Sequence, residues 1–72
     1  MAASVVQSEV TGTVWKIEVQ VGDSVAEEQT LVILESMKME IPAVAPAAGK
    51  VARILVGEGE AVAEGQDLVV LE

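Results

Sequence analysis

The chain is 72 residues long with a formal charge of −8, twelve acidic side chains against four basic ones, and 51% of it is apolar. It has no Cys, His, Phe or Tyr and a single Trp; this excludes disulfides, thiol nucleophiles and cysteine zinc sites, and it removes the commonest general base. An enzyme working alone is therefore not expected, and the acidity and lack of stacking platforms also speak against nucleic acid.

Met1-Ala2-Ala3-Ser4 has neither the basic start nor the apolar run of a secretory signal, so the expected compartment is the cytoplasm, or an organelle matrix if a transit segment was removed. No apolar run approaches the roughly 18 residues of a membrane helix, so no membrane partner is expected. Ser4 to Val6 reads as a first short strand. Thr13 to Val21 alternates, with Trp15, Ile17, Val19 and Val21 on one side and Lys16, Glu18 and Gln20 on the other, the period of a strand. Val21-Gly22-Asp23-Ser24 reads as a turn, and Leu31 to Leu34 as a strand either buried on both sides or too short to show alternation. Ile41 to Val44 opens a second series, in which Pro42 and Pro46 remove ladder donors and so place that strand at an edge or interrupt it. Gly57 to Glu60 and Leu68 to Leu71 then repeat the turn and the short apolar strand. No segment carries a helical stripe.

This second series is a copy of the first. Residues 12–35 and 49–72 align at a spacing of 37 residues with 13 identities in 24 positions and no gap. The identical pairs include Gly12/Gly49, Val25/Val62, Gln29/Gln66 and Leu31/Leu68. One departure is Glu28, which stands where the second copy has Gly65, so the first turn is expected to differ in backbone or to carry strain. A half of about four short strands cannot bury its own apolar face. We therefore expect one all-β domain over residues 1–72, a flattened barrel or sandwich of about eight strands. Its two halves would pack face to face about a pseudo-twofold axis, with an aliphatic core carrying the stability.

Between the copies lies Glu35-Ser36-Met37-Lys38-Met39-Glu40. A tight hairpin there would ordinarily use Gly, Asn or Asp, and none occurs from Glu35 to Ile41. Two thioethers flank a lysine instead, a break in turn chemistry of the kind that marks function. By symmetry the equivalent of this connection is the gap between the chain ends, so the ends should lie together, opposite Lys38.

The hairpin at 35–40 resembles the Met-Lys-Met attachment motif of biotin carboxyl carrier domains, the biotinyl/lipoyl attachment family. The resemblance extends over the 37-residue duplication and Ala45-Pro46-Ala47-Ala48-Gly49, and in size it is nearest to the small free-standing biotin/lipoyl attachment proteins. It implies that Lys38 is acylated by biotin and that Met37 and Met39 serve recognition by a biotin protein ligase, with Glu35, Ser36 and Glu40 as motif flanks. It further implies a carrier that is not itself an enzyme, monomeric in isolation. Such a carrier moves a carboxyl group from a biotin carboxylase to a carboxyltransferase acting on an acyl-CoA or a 2-oxo acid. Ser36 departs from the family's common Ala, a change expected to be tolerated. The gap-free repeat leaves no room for the thumb loop of some acetyl-CoA carboxylase carriers, so a thumbless type is expected, nearer to propionyl-CoA or pyruvate carboxylating systems. A lipoyl-type acyl or aminomethyl carrier on the same fold, and an unmodified structural adaptor, remain as alternatives; lipoyl domains usually carry Asp before the lysine and Ala after it.

Other groups have plainer readings. Lys16, Lys50 and Arg53 fall in strand patterns as solvated residues, Met37 and Met39 could alternatively fill core space, and Trp15, whose repeat partner is Ala52, receives no function. No carboxylate set has metal-ligand spacing.

Overall fold

The computed structural model describes residues 3–72, leaving Met1 and Ala2 outside the described residues. It contains eight strands: β1 (Ser4–Gln7), β2 (Gly12–Ile17), β3 (Ser24–Val25), β4 (Thr30–Ser36), β5 (Met39–Val44), β6 (Gly49–Ile54), β7 (Ala61–Val62) and β8 (Asp67–Leu71). They form two four-stranded sheets, ordered β1-β8-β6-β3 and β5-β4-β2-β7. Adding the repeat spacing converts one sheet into the other strand for strand, which is the expected pseudo-twofold.

The halves are not packed as two separate layers, however. Each sheet takes its two central strands from one half and both edges from the other, so the copies are interlaced. Backbone bonds stitch this exchange symmetrically: the Val14 amide donates to the Glu60 carbonyl at 2.8 Å and the Val51 amide to the Asp23 carbonyl at 2.8 Å. Likewise Gly59 donates to Val14 at 2.7 Å and Gly22 to Val51 at 2.8 Å. The connections at residues 18–23 and 55–60 are equal in length, and no thumb protrudes from either.

The strand expected over Thr13 to Val21 ends at Ile17 and does not alternate regularly. Its register against β4 shifts between Val14 and Lys16, a bulge that leaves Trp15 unpaired. Val14 thus turns inward and is 1% exposed, whereas Trp15 and Val21, placed on the same side as Val19 by simple alternation, are 50% and 62% exposed. The same shift recurs between Val51 and Arg53, with small Ala52 at the bulge.

The core is wholly aliphatic and built from repeat pairs: Val14/Val51, Val19/Val56, Val25/Val62, Leu31/Leu68, Val32/Val69 and Leu34/Leu71 are all buried. Pro42 lies within β5, an edge strand, where its missing donor costs no ladder bond.

The turn expected to carry strain does so. Glu28 has φ +68° and its partner Gly65 φ +85°, so the two turns share one left-handed backbone. Both are closed in the same way, by Gln29 Oε1 accepting from the Ala26 amide and Gln66 Oε1 from the Ala63 amide, each at 3.0 Å. A left-handed conformation costs an ordinary residue roughly 1–2 kcal/mol, partly offset by the greater freedom that glycine has when unfolded. Glu28→Gly is therefore expected to stabilise the domain by about 0.5–1 kcal/mol, read as a rise of several degrees in Tm. An unchanged or lower Tm would show that the turn is not strained.

Candidate functional site at the β4–β5 hairpin

β4 and β5 pair without a register shift from Val32↔Ala43 to Ser36↔Met39, which leaves a two-residue loop of Met37 and Lys38. Both have left-handed φ, +52° and +66°, as a type I′ turn requires. This is the conformation for which Asn-Gly is normally selected, imposed here on two long side chains. The β4–β5 ladder holds the turn in place from below.

Two further contacts brace it. The Ser36 hydroxyl donates to the Thr11 carbonyl at 2.9 Å, so Ser36 ties the hairpin to the start of β2. Gly12 lies directly against β4, and a Cβ added there would run into the Glu35 carbonyl oxygen. The sequence marked Gly12 only by its pairing with Gly49, which lies against Glu72 in the same manner. The Ser36–Thr11 bond left no signal in the sequence.

The flanking residues reach the surface. Met37 is 92% and Met39 64% exposed, so neither fills core space. Lys38 is exposed at the apex. Glu35 and Glu40 are direct cross-strand partners, both exposed, an opposition of like charges that a sheet ordinarily avoids. All six motif residues are thus gathered in one hairpin, with Glu35 and Glu40 one rung below the pair that closes the turn. Among the described residues no group of carboxylates could hold a metal ion.

The apex also has a fixed relation to the chain ends. β2 starts beside the hairpin, with Thr13 opposite Glu35, and the chain then runs away from it to Val25, which pairs with Gly49. There Lys50 and Glu72 exchange backbone bonds at 2.9 and 2.8 Å, and Ser4 pairs with Leu71. Within a molecule 36 × 17 × 17 Å in extent, the described chain ends therefore lie together at the pole away from Lys38, as the symmetry implied.

A primary amine on a flexible stem, exposed at a protruding apex, has the chemistry and access needed to form an amide with the carboxyl group of biotin. Comparisons with known proteins agree with this geometry. The family model described as "Biotin-requiring enzyme", the biotin/lipoyl model, matches residues 1–71. The chain is 48% identical over 46 residues to the biotin/lipoyl attachment protein of Bacillus subtilis, covering 64% of this chain and 63% of that protein. It is 49% identical over 51 residues to the biotin carboxyl carrier protein of Streptococcus mutans, covering 71% of this chain and 39% of the other. Its fold superposes on the crystal structure of Kluyveromyces lactis urea carboxylase with a TM-score of 0.94 and 36% identity, covering 100% of this chain but only 6% of that one. The matches to the two carrier proteins thus span less than two thirds of either. On the family match, and with the attachment hairpin in place, the chain belongs to the biotin/lipoyl family of biotin-requiring enzymes.

Proposed function

We propose that the domain is a biotin carboxyl carrier, acylated on Lys38. The observation that carries this reading is the exposed lysine held at the apex of a left-handed two-residue turn, at the pole away from the chain ends. In the acylation the uncharged Lys38 amine attacks the carbonyl of a biotinyl-adenylate supplied by a biotin protein ligase. The amide C–N bond forms as the C–O bond to AMP breaks, and the amine gives up a proton. Once attached, biotin supplies a ureido nitrogen that takes up and releases a carboxyl group.

The chain's own residues present the arm and do not catalyse. Met37 and Met39 offer a soft, adaptable apolar surface to the ligase, and Glu35, Ser36 and Glu40 complete the recognised hairpin. A biotin carboxylase and a carboxyltransferase would be visited in turn, in the cytoplasm where ATP and bicarbonate are both present. Tethering raises the effective concentration of the arm at each site, provided the linkage can span them. The domain would serve as a monomeric module, and the acceptor of the carboxyl group is set by the carboxyltransferase it meets.

Intact mass of the chain, expressed in cells supplied with both biotin and lipoate, tests this reading. A single biotinyl adduct is expected. A lipoyl adduct would assign the domain to acyl or aminomethyl transfer, and an unmodified chain would make it an adaptor; either result overturns the proposal.

A further inference from the structure

The two sheets part company between β1 and β5, an edge strand of each, and a groove of about 520 Å³ opens there. That volume is within the range of small-molecule sites. Its walls are Val5, Ile41, Pro42 and Val44, with the carboxylates Glu9 and Glu64 at the rim. Val5 and Val44 are 47% and 39% exposed, so the apolar lining faces solvent.

The groove lies where the pseudo-twofold relates β1 to β5, and much of its lining comes in repeat pairs such as Val5/Pro42 and Val6/Ala43, but the rest breaks the symmetry. Leu34, Ile41, Glu64 and Gly65 line it, while their repeat partners Leu71, Ser4, Glu27 and Glu28 do not. All four lining residues belong to the side nearer the hairpin: Ile41 pairs with Leu34 within the β4–β5 ladder, and the Glu64 amide donates to Thr11 Oγ1 at 3.2 Å, next to Gly12. Gly65 brings no side chain to the opening, and a Cβ there would meet only open space. The opening is thus biased toward Lys38. From Lys38 to Ile41 is three residues of strand, on the order of 10 Å, a distance within the combined reach of the lysine methylenes and the valeryl chain of biotin.

We propose that this groove receives the ring system of the biotin carried on Lys38, giving the arm a docked state as well as an extended one. The proposal rests on biotinylation of Lys38. An uncharged bicyclic urea on an alkyl tether matches the walls: its hydrocarbon and thioether edges lie on valine, isoleucine and proline, and its two ureido N–H groups find carboxylate acceptors at Glu9 and Glu64. The same carboxylates, on a chain of net charge −8, repel a ring that bears an added carboxylate. Docking therefore favours the uncarboxylated arm, and loading releases it.

The test compares methyl NMR spectra of the full chain before and after biotinylation, once intact mass has shown a single adduct. Shifts are expected at Val5, Ile41 and Val44, with none at Val19 and Val56 in the core. Avidin should capture the wild-type adduct more slowly than that of Val44→Lys, in which the groove is obstructed, by about twofold if half the arms are docked. Shifts confined to residues 36–40 overturn the docked state and leave the carrier function standing, a result that needs no variant to fold. A sample that never acquires biotin overturns the carrier reading and the docked state with it.

Discussion

Lys38→Arg is expected to abolish biotin attachment completely while leaving the domain folded. A guanidinium stays protonated at any working pH and cannot attack an acyl-adenylate, so streptavidin blotting and intact mass should both register a full loss. The structural cost should stay within about 0.5 kcal/mol, as for other exposed substitutions, because Lys38 is solvated at the apex and arginine adopts the same turn no less readily. A melting curve on the same sample checks that loss of signal is not loss of fold. The remaining lysines act as internal controls. Lys16 pairs with Ile33 within β2 and Lys50 with Ser24 within β6, so neither can protrude as a two-residue loop does. Biotin still attached to Lys38→Arg would place the site elsewhere and overturn the assignment.

The second large effect is on stability, and the duplication gives it a particular form. Leu31 and Leu68 are repeat partners and both are 0% exposed. Truncation of such a leucine to alanine costs about 2–5 kcal/mol. Stability of roughly 0.05–0.15 kcal/mol per residue gives a 72-residue chain about 4–11 kcal/mol in all. Leu31→Ala and Leu68→Ala should each remove a large share of that, lowering Tm by about 8 °C or more, and by nearly the same amount. Urea titration of the two variants measures the comparison. If the costs differ by more than about 1 kcal/mol, the symmetry of the core is one of shape and not of energy.

The core was readable in the sequence because duplication prints each buried position twice. A valine or leucine kept at both Val14 and Val51, or Leu34 and Leu71, is constrained by packing in two copies at once. Trp15 and Ala52 share no such constraint, and both prove to be bulge residues, as do the buried Leu31 and Leu68 at the other two register shifts. A bulge adds one residue to a strand without altering composition, so the apparent alternation pointed the wrong way at Trp15, and it failed at Val21 because that residue lies past the end of β2, in the connection to β3. Interlacing was also hidden, because local patterns specify strands but not which partner lies at each edge. The strain at Glu28 could be read from Gly65. The hairpin was recognisable by its residues, but its left-handed backbone had no counterpart to compare with, since the equivalent connection would join the chain ends. Gly12 was visible as a repeated glycine, yet its contact with the Glu35 carbonyl depends on the ladder between β2 and β4.

The exchange of edge strands sets an order of events on the ribosome. The sheet bearing the attachment hairpin needs β7 beside β2, and β7 is Ala61–Val62, near the end of the repeat. A nascent chain that has already exposed Lys38 therefore cannot complete that sheet until most of the second copy has emerged. Were Lys38 acylated as proposed, a ligase that reads the turn within the completed sheet would act on finished domains and pass over fragments.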